Sequence, residues 1–219
     1  MKRFEFGNPK GESVLIQPVD EHDLEGIERE YSELFRLAKR EFRLLALETE
    51  SWNRDLSPWK APAVFRGEPF AGGAGETLRE VLSLCTDKTK RYYLGGYSLA
   101  GLFALWAVCE TPTFSGIAAA SPSVWFPDFM PYLRAHRVKT ETVYLSLGDR
   151  EKNTRNPQMA TVADCIAESE RILSEQGVNV VLEWNEGNHF KDADIRTARA
   201  FAWVLNAENR ETPIPKNGN

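Results

Sequence analysis

A serine, an acid and a histidine stand in this chain in an order and setting suited to nucleophilic catalysis. Ser98 lies in Tyr92-Tyr93-Leu94-Gly95-Gly96-Tyr97-Ser98-Leu99-Ala100-Gly101-Leu102-Phe103, an apolar β run, a tight turn and then a run of small and apolar residues. A serine hydroxyl is a weak nucleophile until a neighbouring base takes its proton. A sharp strand-to-helix turn exposes that hydroxyl, and it needs small residues two positions to either side because the two backbones nearly touch. Here these are Gly96 and Ala100, one methyl away from Gly-x-Ser-x-Gly. The same turn makes Leu99 the first helical residue, so its backbone N–H points out of the helix N-terminus toward an oxyanion. A glycine-rich turn that only packs or binds phosphate is the plainer reading of such a string. The β run before it and the apolar run after it favour catalysis.

Of the three histidines, His189 follows a β run in Trp184-Asn185-Glu186-Gly187-Asn188-His189-Phe190. His22 lies among acids in Asp20-Glu21-His22-Asp23, and His136 lies in the basic stretch Leu133-Arg134-Ala135-His136-Arg137. His189 is therefore the base, at the end of the order serine, acid, histidine. Between it and Ser98, Leu147-Gly148-Asp149-Arg150-Glu151-Lys152 closes another β run and offers two acids. Either Asp149 or Glu151 can accept the His189 ring N–H and hold its tautomer. Spacing does not separate them, and either could instead pair with Arg150, Lys152 or Arg155.

Positioning these groups requires strand ends and helix starts. Apolar runs at 13–17 (stopped by Pro18), 42–47, 92–95, 116–120, 142–147 and 179–184 read as six strands. Helical spacing recurs at 24–38, where Leu24, Ile27, Tyr31 and Leu34 align, and at 76–84, 100–109, 162–173 and 195–205. The alternation gives an α/β fold: a doubly wound, mostly parallel sheet with helices on both faces, in one domain over residues 1–210. Residues 211–219 read as a flexible C-terminal tail.

Two aromatic segments leave strand ends, where open α/β sheets bind ligands. Trp52, Trp125 and Phe126 could line an apolar acyl or aryl pocket, with Arg54 available for an anionic group; the tryptophans could equally just cover the sheet edge. The stretch after the fourth strand is too short for a lid domain, so an open, shallow site is expected.

Across 219 residues the formal net charge is −5, and no basic cluster is present, which argues against a nucleic-acid partner. No apolar run is long enough for a membrane span, and the start Met1-Lys2-Arg3-Phe4-Glu5-Phe6-Gly7 has no apolar region behind its basic residues. Cys85, Cys109 and Cys165 form no CxxC pair and read as free thiols, so a cytoplasmic location is expected. No metal motif or dinucleotide fingerprint is present, so neither metal nor cofactor is expected.

The chain resembles the serine hydrolases of the α/β-hydrolase superfamily, specifically the small esterase group that includes esterase D and enterochelin-esterase-like proteins. The resemblance runs from about Val14 to Leu205. It rests on Gly96-Tyr97-Ser98-Leu99-Ala100-Gly101, Gly148-Asp149-Arg150-Glu151 and Gly187-Asn188-His189-Phe190. It implies a cofactor-independent esterase with a small-molecule ester substrate, and it favours Glu151 over Asp149 as the acid. It also implies a minimal fold that lacks the first one or two strands and begins at the strand before the oxyanion loop. The exposed sheet edge would invite a homodimer. A second oxyanion donor is expected just after that first strand. Pro18 has no N–H, so the resemblance assigns the donor to Val19 or, failing it, Asp20. Acyl transfer, thioester or amide cleavage by the same groups, and a catalytically inactive binding module, are the alternatives.

Overall fold

The computed structural model describes residues 1–64 and 67–207. The tail expected at 211–219 and the end of the domain expected at 210 lie outside them. Seven strands form one sheet in the order β1-β3-β2-β6-β7-β8-β9: β1 (Lys2–Gly7), β2 (Ser13–Val19), β3 (Phe42–Glu48), β6 (Arg91–Tyr97), β7 (Phe114–Ala120), β8 (Thr142–Gly148) and β9 (Asn179–Asn185). All adjacent pairs are parallel except β1 with β3. β4 (Lys60–Ala61) and β5 (Phe70–Ala71) make a separate antiparallel pair.

Two expectations need correction here. The sheet does not begin at the strand before the expected oxyanion loop, because β1 precedes it and covers the free edge of β3. Phe4 and Phe6 of β1 turn toward the core while Lys2, Arg3 and Glu5 are exposed, a charged edge of the kind that discourages further strand pairing. Pro18 does not stop β2 either. β2 pairs with β6 only as far as Ile16–Leu94, so beyond that point Pro18 omits no ladder bond to β6, while the β3 register continues to Val19–Glu48.

The two faces of the sheet follow the period-two alternation of the strands. Leu15, Leu44, Tyr93 and Ala118 pack toward α1 (Glu21–Leu37) and α7 (Ala193–Ala207). Ile16, Leu45, Leu94 and Ile117 pack toward α3 (Ala74–Leu84), α4 (Leu99–Glu110) and α6 (Val162–Glu175). α4 is buried along nearly its whole circumference, which explains why its sequence shows no polar face. Two short helices, α2 (Trp52–Asp55) and α5 (Phe129–Ala135), complete the connections. α1 starts sharply: the Asp20 carboxylate accepts the Asp23 N–H, and the Asp23 carboxylate accepts the Asp20 N–H, a reciprocal cap. The three cysteines are free; Cys109 is buried and the other two are partly exposed. Among the described residues, no helix is long and apolar enough to cross a membrane.

Candidate active site

Ser98 occupies the turn between β6 and α4 with φ 55° and ψ −116°, a region that a non-glycine residue enters only when its surroundings force it. The closeness of strand and helix is measurable. A Cβ built on Gly96 would stand 2.6 Å from the Ala100 Cβ, so only glycine fits there, and the methyl of Ala100 is tolerated because Gly96 has none. Leu99 opens α4 and lines the cavity beside Ser98.

The structure brings three of the expected residues into one line. His189 Nε2 lies 3.0 Å from Ser98 Oγ, and His189 Nδ1 lies 2.7 Å from Glu151 Oε2. When Nδ1 carries the proton and donates to Glu151, Nε2 presents its lone pair to the serine hydroxyl. Asp149 does not reach the ring. Its Oδ1 accepts the Gly187 N–H at 2.8 Å, so it holds the backbone of the histidine loop. His22 and His136 are exposed on the surface.

Around Glu151 is a set of donors that sequence reading misses. Oε1 accepts from the Gly148 N–H at 2.7 Å, the Ser121 hydroxyl at 2.8 Å and the Arg196 guanidinium at 3.0 Å. Burial by itself would raise the Glu151 pKa; the His189 contact, the Gly148 N–H and the Ser121 hydroxyl outweigh it and hold the carboxyl below its ordinary value. Arg196, itself buried, also donates to the Tyr97 hydroxyl at 3.1 Å and the Glu186 carbonyl at 3.2 Å. The Tyr97 hydroxyl donates to the His189 carbonyl at 2.7 Å, which ties the histidine loop to β6. Ser121, like Ser98, has a positive φ, 42°. One signal for Arg196 was available: it shares a stripe of α7 with Ala200 and Val204, both buried, and a charge in line with such residues needs a buried partner.

A cavity of about 690 Å3 opens at Ser98, within the size range of small-molecule sites. Its apolar wall includes Trp52, Phe70, Trp125, Met159 and Phe190. Ala63, Val64, Gly67 and Glu68, between β4 and β5, also line it. Trp52 and Trp125 line it as expected. Phe126 does not: it is buried against the rings of Phe70 and Trp59, at centroid separations of 4.9 and 5.7 Å, and so backs the wall from inside. Arg54 is absent from the lining too, because Asp55 at 2.7 Å and Glu50 at 3.2 Å already engage its guanidinium. Among the described residues, Arg150 and Arg155 are the arginines that line the cavity. Val19 also fails to reach it. This residue is fully buried at the end of β2, and the reciprocal cap carries the chain straight into α1 with no intervening loop.

Sheet order, the serine turn and the cavity at the strand ends define the class: the chain has the α/β-hydrolase fold. No protein-family model matches it, and no curated protein matches it by sequence. Among solved structures it is similar to an IroE-like serine hydrolase from Shewanella oneidensis, with TM-score 0.71 and 16% identity over 88% of this chain and 69% of that one. The siderophore hydrolase EstB from Aspergillus nidulans matches with TM-score 0.66 and 18% identity, over 94% of this chain and 86% of that one. The enterobactin esterase from Shigella flexneri matches with TM-score 0.64 and 15% identity; this chain covers 55% of that protein and 94% of its own length is covered.

Proposed function

We propose that the protein is a serine esterase that cleaves a carboxylic ester through a covalent acyl-enzyme. The observation that carries this reading is the continuous Ser98–His189–Glu151 hydrogen-bonded line at the floor of the cavity. Ser98 Oγ attacks the ester carbonyl carbon while His189 Nε2 takes the hydroxyl proton. The Leu99 N–H, at the positive end of α4, stabilises the negative charge that moves onto the carbonyl oxygen. The tetrahedral intermediate collapses, the ester C–O bond breaks, and His189 returns the proton to the leaving alkoxide. Water then adds to the acyl-enzyme with His189 again as base, releasing the carboxylic acid and restoring Ser98. Glu151, held anionic by its donors, orients His189 and stabilises the imidazolium.

The aromatic wall suits an aromatic or extended apolar acyl group, and the structural neighbours include siderophore hydrolases and an enterobactin esterase. An ester is preferred over a thioester or amide on that resemblance. Wild-type protein is expected to turn over a p-nitrophenyl ester, and Ser98→Ala to lose this by several orders of magnitude. Equal turnover by the two proteins contradicts the reading, and folded wild type without turnover leaves the fold as a binding module. Side-by-side rates on matched ester, thioester and anilide substrates separate the acyl chemistries.

A further inference from the structure

An oxyanion hole needs at least two donors aimed at the developing charge, and the Leu99 N–H is one. The loop after β2, where the second is expected, is closed in this chain. Pro18 has no N–H, Val19 is buried opposite Glu48 with its carbonyl accepting the Thr49 N–H, and the Asp20 N–H donates to Asp23. None of the three lines the cavity.

Ser123 does line it. Its Oγ lies 3.2 Å from Ser98 Oγ, and among the described residues these two hydroxyls and His189 form the only side-chain hydrogen bonds at the Ser98 hydroxyl. Ser123 is buried and firmly held: its N–H donates to the Ser98 carbonyl at 3.0 Å, and its own carbonyl accepts the Phe126 N–H at 2.9 Å. The direction of the Ser98–Ser123 bond follows from proton counting. Ser98 has one hydroxyl hydrogen, and it is committed to His189 Nε2 whenever Nδ1–H faces Glu151. In that state Ser123 must be the donor and Ser98 Oγ the acceptor. Once Ser98 Oγ is bonded to the acyl carbon, the oxyanion sits two bonds from that oxygen, and rotation of the Ser123 hydroxyl about its C–O bond swings the same hydrogen onto it.

We infer that the Ser123 hydroxyl is the second oxyanion donor, a side-chain replacement for the backbone N–H that the closed loop after β2 does not present. This rests on the esterase reading above. No proton is transferred from Ser123; it contributes a hydrogen bond that strengthens as the oxygen becomes charged.

The test is Ser123→Ala, assayed on a p-nitrophenyl ester and titrated with an aryl trifluoromethyl ketone, which forms a tetrahedral adduct on an active serine. The expected result is a fall in kcat of about 10²-fold with KM little changed, as for loss of a single oxyanion donor. The affinity for the ketone falls by the same factor as kcat/KM, which a purely structural role would not produce. Wild-type kcat and ketone affinity in folded Ser123→Ala overturn the inference while Ser98-dependent turnover stands, and so does a change confined to KM. Wild-type protein without Ser98-dependent turnover overturns the esterase reading and this inference together. Should Ser123→Ala fail to fold, the near-isosteric Ser123→Cys substitutes a weak donor and is expected to show a smaller parallel fall. Unchanged kcat in that variant overturns the inference.

Discussion

Glu151 and Glu30 are both glutamates that the fold has withdrawn from water, with side chains or residues only 4% and 2% exposed, yet they sit in opposite electrostatic settings. Glu151, behind β8, receives the His189 ring, a backbone N–H, a hydroxyl and a guanidinium, and its pKa is lowered. Glu30, on the inner side of α1, has the Gln17 amide at 3.2 Å, and its other oxygen and Gln17 Oε1 both lack a partner. Burial raises the Glu30 pKa well above the ordinary value, against the Gln17 contact and with help from the charges of Asp23 and Asp194. A neutral carboxyl suits that place, because its hydroxyl supplies a donor where two oxygens need one. Burial sets the cost of a charge; the number of donors decides whether the charge stays. At Glu151 the fold gathers four donors around the carboxylate; at Glu30 it supplies one.

The largest expected effect comes from abolishing the Glu151 charge while keeping its shape. Glu151→Gln is expected to lower kcat by about 10³- to 10⁴-fold with little change in KM, since an amide cannot hold His189 in the required tautomer. Steady-state kinetics on a p-nitrophenyl ester checks this; a loss below tenfold would mean that Glu151 does not serve His189.

Removing a donor is the next step. Arg196→Met strands the Glu151 charge in the interior and is expected to destabilise the protein by roughly 3–5 kcal/mol, the usual cost of breaking a buried ion pair. Urea unfolding at pH 7 measures it. An unchanged midpoint would show that Gly148 and Ser121 suffice.

Glu30 should respond in the opposite sense. Glu30→Gln is expected to stabilise the protein above neutral pH by roughly 1–3 kcal/mol, the cost of a buried group without its partner. The pH dependence sharpens this contrast. Glu151 has a lowered pKa, so its contribution is present above the unfolded value of about 4.3 and is lost as pH falls through the lower folded value. Glu30 and Asp23 have raised values, Asp23 being pushed up to about 7 by burial and by the Asp20 charge. Their contribution is full below the unfolded pKa and is lost as pH rises, through about 7 for Asp23. The urea midpoint should therefore decline between pH 5 and pH 8, and Glu30→Gln should flatten that decline. A midpoint that instead rises over this interval would contradict the assignment of Glu30 as the neutral member of the pair.

The smallest effect expected is at the start of α1, where Asp20→Ala removes the carboxylate that accepts the Asp23 N–H. A loss of about 1 kcal/mol is expected from thermal unfolding, as for other N-caps.

The sequence carries the Ser98 turn and the His189 loop plainly, because a strand end, small residues and a polar loop are local features. Glu151 over Asp149 needed the resemblance, and the physical reason appears only in three dimensions: Asp149 turns to the Gly187 N–H while Glu151 reaches round the loop to the ring. Ser121 and Arg196 reach Glu151 from the end of β7 and from α7, and Ser123 meets Ser98 at the β6–α4 turn; spacing in the chain encodes none of those distances. β1 left a faint trace, Phe4 and Phe6 alternating with charged residues, and two aromatic positions are a weak strand signal beside a run such as 42–47. Val19, Arg54 and Phe126 fail as cavity residues for three different reasons: a helix cap that abolishes a loop, adjacent acids that occupy a cation, and a ring that packs inward.

The most direct test of the central claim is covalent. Wild-type protein, Ser98→Ala and His189→Ala are treated with a fluorophosphonate probe and read by intact mass and peptide mapping. An activated serine predicts a single adduct on wild type, mapped to Ser98, and none on either variant. Folded wild type that takes no adduct, or takes it on another residue, would contradict the account.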